Sequence, residues 1–131
     1  MKILLDTHTF LWFIAGETQL SQKARTAIED LNNQRFLSMA SLWEIAIKTN
    51  LGKLNVIAQN EKFAEFFQEQ SRRNDINLLP ISLSHLAIVA ALPEHHRDPF
   101  DRLLIAQSQT ENMILLSNDS ALDAYEIERR W

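Results

Sequence analysis

The sequence predicts an α/β sandwich built on a small, mainly parallel sheet. Two observations carry that expectation. Short, continuously apolar runs such as KILL (2–5) and MILLS (113–117) read as strands buried on both faces. Between them lie segments whose apolar residues recur at helical spacing, and strands alternating with helices build parallel sheets. The length of 131 residues points to one domain, 1–131, able to bury about two-thirds of its unfolded surface.

The elements follow in order. KILL is the first strand. Thr7 to Ala15 is helical and stops at Gly16. Ser21 caps a second helix through about Asn32, with Ala24, Ala27, Ile28 and Leu31 on one face. RFL (35–37) is a second short strand. Ser38 or Ser41 opens a third helix, with Ile45 and Ala46 inward, ending near Gly52. Glu61 to Arg73 forms a fourth helix carrying Phe63, Phe66 and Phe67. NLLPI (77–81) is a weak strand, and Leu83 to Leu92 a fifth helix stopped by Pro93. Asp98 begins a sixth helix that runs to about Asn112, and MILLS is the next strand. Asp119 to Tyr125 is a helical turn, and 126–130 an edge strand. Glycines and prolines stand singly, like punctuation, and there is no repeat, linker or low-complexity tract.

Composition narrows the chemistry. There is no cysteine, which removes disulfides, thiolate zinc sites and cysteine nucleophiles, and is compatible with a reducing cytoplasm. The formal net charge is −4, so nucleic acid is not bound through bulk positive charge. A bound cation, a basic rim or a partner would have to offset the acidity locally. The start, MKILLDTHTFLWFIAG, is signal-like, but Asp6 interrupts it and no A-x-A site follows. No run approaches the ~18 apolar residues of a membrane span. A cytoplasmic protein is expected.

In α/β folds, the carboxyl ends of strands and the amino ends of the following helices share one edge, where ligands bind. Asp6 directly follows the first strand. Asp119 follows MILLS after one residue. Asp98 and Asp101 open the sixth helix, and Glu44 lies in the first turns of the third. All five carboxylates therefore face one rim. Each also has an ordinary reading. Asp6, Asp98 and Asp119 suit helix caps, Pro99 suits the first helical position, and Ser41-Leu42-Trp43-Glu44 reads as a capping box.

Electrostatics favours more than capping. Two carboxylates repel by about 4 kcal/mol at ~4 Å in a partly solvated site. A cluster raises its members' pKa values or demands a cation. Oxygen-only donors select hard ions such as Mg2+ or Mn2+, and such ions activate water in phosphodiester cleavage. Thr7 and Ser117 can position water or phosphate, and Arg97, Arg102 and Lys48 can contact phosphate oxygens. Lys48 is also four residues from Glu44, an ordinary helical ion pair. The histidines are not expected as ligands: His95 and His96 are adjacent, and His8 and His85 isolated.

LLDTHTFLW (4–12), SLWEIAIK (41–48), HRDPFDRLLIAQ (96–107) and LLSND (115–119) resemble, in order, the motifs of PIN-domain ribonucleases, most of all the VapC-type toxins of bacterial toxin–antitoxin pairs. The likeness spans nearly the whole chain. It implies a PIN-like α/β/α sandwich and a divalent-metal endoribonuclease. It implies that Asp6, Glu44, Asp101 and Asp119 are the family's four acids. Asp98 is the extra acid of this motif version, a cap or an auxiliary group behind the metal ligands. A homodimer and a cognate antitoxin protein are implied too. Two alternatives stand beside this reading. One is a catalytically silent PIN-like binding module. The other is a small aspartate-based phosphoryl-transfer domain, disfavoured because Asp6-Thr7-His8 lacks the second acid of Asp-x-Asp.

Overall fold

The computed structural model describes residues 1–131. Strands β1 (Lys2–Leu5), β2 (Gln34–Ser38), β3 (Ile76–Leu79), β4 (Ile114–Leu116) and β5 (Arg129–Arg130) form one sheet in the order β3-β2-β1-β4-β5. Every pairing is parallel. Ile3 lies opposite Arg35 on one side and Ile114 on the other, so β1 and β4 are central partners.

Helices α1 (Thr7–Ala15), α2 (Gln22–Glu29), α3 (Met39–Asn50), α4 (Phe63–Arg73), α5 (Leu83–Ala91) and α6 (Pro99–Glu111) make the connections, and a 3-10 turn spans Ser120–Ala124. Strand side chains alternate between faces, so the sheet divides the core in two. Ile3, Leu5, Ile114 and Leu116 pack with Phe10, Ile28, Leu42, Ile45 and Phe67 of α1 to α4. Leu4 and Leu115 pack with Leu104 and Ile105 of α6 and with Leu122. This is the expected α/β/α sandwich.

Local signals explain most boundaries. Gly16 ends α1 at φ 66°, a left-handed position that a side chain would strain. Asp98 caps α6 by accepting from the N–H groups of Phe100 and Asp101, and Pro99 follows at the first helical position.

The last strand is Arg129–Arg130 rather than 126–130, and the third is Ile76–Leu79, ending before Pro80. Four further details depart from expectation. Helix α2 stops at Glu29, and Leu31 is 89% exposed rather than inward. The Asp30 carboxylate accepts the Asn32 N–H and its carbonyl the Asn33 N–H, a local turn that competes with helix continuation. Helix α3 is capped by Ser38, whose hydroxyl accepts the Ala40 N–H. Ser41 therefore lies inside the helix, and the Ser41–Glu44 capping box does not form. Helix α4 starts at Phe63, two residues later than Glu61. The fourth departure is Arg35, a charged residue only 4% exposed beside Phe36 and Leu37 in β2. Its guanidinium donates to the carbonyls of Ile28, Asp30 and Asp75 and pairs with the Asp75 carboxylate at 3.3 Å, so the buried charge is satisfied.

Candidate metal centre

The strand order β3-β2-β1-β4-β5 switches its direction of growth across the sheet between β1 and β4. Ligand crevices of open parallel sheets lie at the carboxyl ends of such a strand pair. The two ends are joined here by the Asp6 N–H donating to the Leu116 carbonyl at 3.1 Å. Above them is a cleft of about 420 Å³ with no hydrophobic side chain in its lining. Asp6, Glu44, Asp98, Asp101 and Asp119 all line it, together with Lys48, His8 and Asn118.

Capping and clustering turn out to be compatible, because a carboxylate has two oxygens and each has two lone pairs. Asp6 caps α1 through Oδ1, which accepts the Thr7 N–H at 2.7 Å, while Oδ2 accepts the Ser117 hydroxyl at 2.6 Å. Asp119 caps the 3-10 turn by accepting the Ala121 N–H. Asp98 is the α6 cap already described. Glu44 and Asp101 cap nothing. Glu44 is buried on α3 and accepts from Lys48 Nζ at 3.0 Å. Asp101 sits in the first turn of α6, half-buried.

The crowding shows in proton affinity. Burial pushes the Asp101 carboxyl up to about 6, with the charges of Asp6 and Asp98 adding to the rise and the hydrogen bond from His96 opposing it. Burial also raises Asp6, against the hydrogen bonds from Ser117 and Thr7, and Glu44 adds a small repulsion.

The remaining candidates divide. Ser117 is buried between two acids: its hydroxyl donates to Asp6 and accepts the Asp119 N–H at 3.1 Å. The Thr7 hydroxyl donates instead to Ser41 Oγ of α3, bracing two helices, and Thr7 does not line the cleft. Lys48 lines it; Arg97 is exposed and does not. Arg102 corrects its expected role as a phosphate contact. Its guanidinium points into the loop before α6, donating to the carbonyls of Leu92, Pro93 and His96 and to the Tyr125 hydroxyl. Both terminal nitrogens of the guanidinium are thus committed to the protein, and Arg102 does not line the cleft.

One histidine nevertheless reaches the acids of the cleft. His96 Nε2 is 2.8 Å from Asp101 Oδ2, and ligand atoms of His96, Asp101 and Asp119 lie within 4.8 Å of one another. The adjacency of His95 and His96 argues against two ligands on a helix face, but these residues are in a loop and only one turns inward. The available signal was His96 standing five residues before Asp101 in a short loop.

The family model described as PIN domain matches residues 3–128. This chain belongs to the PIN domain family. Solved structures agree with the PIN fold. VapBC2 from Rickettsia felis, bound to a DNA fragment from its promoter, aligns at TM-score 0.71 and 16% identity over 99% of this chain and 98% of that one. VapBC-1 from nontypeable Haemophilus influenzae gives 0.69 and 11%, over 99% and 97%. FitAcB from Neisseria gonorrhoeae gives 0.65 and 15%, over 97% and 95%. No curated protein matches the sequence. At such identities the structural likeness shows the fold, and the PIN cleft must be judged on its own donors. They are carboxylate oxygens in a polar cleft, with no cysteine in the chain. That set fits a hard divalent cation.

Proposed function

We propose that this PIN domain is a divalent-metal-dependent endoribonuclease that hydrolyses RNA phosphodiester bonds and acts as the toxin of a toxin–antitoxin pair. The observation that carries the reading is the convergence of Asp6, Glu44, Asp101 and Asp119, from four separate segments, on one cleft without apolar lining. A Mg2+ or Mn2+ ion held by these acids supplies an activated water and neutralises charge on the phosphoryl group.

The protein's own groups set the geometry. Ser117 holds Asp6 and, through the Asp119 N–H, the start of the next turn. Asp98 fixes the first turn of α6 and thereby the position of Asp101. Lys48 steadies Glu44 and brings one positive charge to the rim, where it can meet a phosphate. Arg97, exposed before α6, can add a second. A single-stranded substrate suits this open rim.

An antitoxin partner is supported by the neighbours, which are VapBC and FitAB assemblies and a toxin–antitoxin complex from Klebsiella pneumoniae. A homodimer is supported by apolar side chains left uncovered. Met39, Trp43 and Ile47 recur every fourth residue along α3, and Leu83 and Leu86 of α5 are exposed as well. No helix is long and apolar enough to cross a membrane, and the cytoplasm remains the proposed location.

The test is cleavage of a mixed single-stranded RNA pool with Mg2+, Mn2+ or EDTA, beside Asp101→Asn. Metal-dependent cutting that is lost in the variant is the expected result. Cutting that persists in EDTA, or in a clean preparation of the variant, defeats the proposal. Mn2+ binding without turnover on any RNA would favour the silent binding module. The aspartyl-phosphate alternative is disfavoured because His8, rather than a second acid, stands two residues after Asp6.

A further inference from the structure

Most acids of the cleft are held by a backbone N–H, by the strand-end Ser117 hydroxyl or by a side chain of their own helix. Asp101 is not. The one protein group that hydrogen-bonds to its carboxylate is the His96 ring, from the loop between α5 and α6. That loop has no regular secondary structure, so its backbone depends on other partners for order.

Those partners are unusually concentrated on His96. Its N–H donates to the Tyr125 hydroxyl at 2.9 Å, and its carbonyl accepts from Arg102 Nη1 at 3.1 Å. The Tyr125 hydroxyl also accepts the His95 N–H and donates to the Pro93 carbonyl at 2.8 Å. Arg102 closes the arrangement by donating to the Pro93 and Leu92 carbonyls. Arg102 directly follows Asp101 on α6. The Arg102 half of the clamp and the carboxylate therefore ride on one rigid element, and Tyr125 holds the loop from the far side, which fixes the ring relative to the acid.

We propose that His96 is a positioning residue for Asp101, its ring presented by the Tyr125–Arg102 clamp so that Nε2–H holds the carboxylate toward the cleft. The inference rests on the reading of the cleft as a metal centre. A ligating carboxylate that is itself hydrogen-bonded loses less orientational freedom when the ion binds, and partners of this kind typically contribute 10–100-fold in metal affinity. Donation through Nε2 follows from the acceptor: an ionised carboxylate offers no proton. The ring could instead ligate the ion directly, because its nitrogen also lies near Asp119. Direct ligation needs a bare Nε2 lone pair, whereas positioning needs the proton there, so the two roles are experimentally separable.

The test uses the full chain and Mn2+ alone. Calorimetric titration is made on the parent, His96→Ala and His96→Gln, with thermal unfolding in EDTA as the check on folding. His96→Ala should weaken Mn2+ binding roughly 10–100-fold while the unfolding midpoint stays near that of the parent. His96→Gln, which restores an N–H donor, should recover part of the loss. Electron spin-echo spectra of the parent–Mn2+ complex should carry no coupling from a directly bound nitrogen. The proposal is overturned by an Ala variant that binds within about twofold of the parent, by a Gln variant no better than Ala, or by a bound-nitrogen signal. A parent that binds no Mn2+ and cuts no RNA removes the metal-centre reading itself, an outcome distinct from a parent that binds and an Ala variant that matches it.

Discussion

The Ser117 hydroxyl donates a 2.6 Å hydrogen bond to Asp6 Oδ2, joining residues 111 positions apart at the ends of the two central strands. Ser117 Oγ in turn accepts the Asp119 N–H. One buried hydroxyl thus ties together two of the acids at the crevice. A hydrogen bond to an ionised buried group contributes about 1.5–3 kcal/mol. Ser117→Ala is expected to lose stability of that order at neutral pH in EDTA, and to raise the Asp6 pKa further. Urea unfolding measures the first effect; a midpoint equal to the parent's contradicts it.

Asp101 should be a stability liability without metal. Its folded pKa is raised to about 6, above the ordinary value of 3.8. The folded state then binds the proton more tightly than the unfolded state does. The penalty is absent below about pH 4, grows as pH rises through 6, and is complete above it. Its upper bound is about 3 kcal/mol, reduced by solvent on the open side of the residue. In EDTA at pH 8, Asp101→Asn should therefore unfold at a higher temperature than the parent, with the gap closing at pH 4. A variant less stable at pH 8 would show that the lost hydrogen bond with His96 outweighs the relieved charge.

Mn2+ should reverse that liability. A ligand that binds only the folded state adds about 2.7 kcal/mol at a hundredfold excess over its dissociation constant. The parent should gain a higher unfolding temperature with added Mn2+. Asp6→Asn and Asp119→Asn should lose most of the gain. Equal gains in parent and variants would place the ion elsewhere.

Arg102 offers a test of structural against substrate contact. Its bonds to the loop carbonyls need a planar fork of donors, which lysine does not provide. Arg102→Lys should cost about 2 kcal/mol or more of stability, from several lost bonds at roughly 1 kcal/mol each. A phosphate contact would behave differently: stability would be unchanged and the KM for RNA would rise.

Trp43 is exposed on α3 and meets Phe100 edge-on at 5.1 Å. A glutamate there should disperse a dimer built on this face without unfolding the chain. Light scattering coupled to size exclusion measures the mass. A parent that is monomeric at high concentration rules this face out as a self-association surface.

What the sequence determined by itself is what short-range chemistry controls. The apolar runs KILL and ILL can satisfy burial on both faces only inside a parallel sheet. Gly16 permits the left-handed turn that ends α1, and Asp98-Pro99 starts α6 through a side-chain cap and a preset φ. The acids at strand and helix ends had to share a rim once strands and helices alternated, so Asp6, Glu44, Asp98, Asp101 and Asp119 were readable as a group. The tertiary structure alone decided which groups around them are available. Ser38 rather than Ser41 caps α3 because β2 ends there. Arg102 faces loop carbonyls, Thr7 faces Ser41, and His96 reaches Asp101, each through a partner that no local pattern specifies. Backbone preferences act over a turn or two of chain, whereas a guanidinium, a hydroxyl or an imidazole is committed by whichever acceptor the packed fold brings within 3 Å or so.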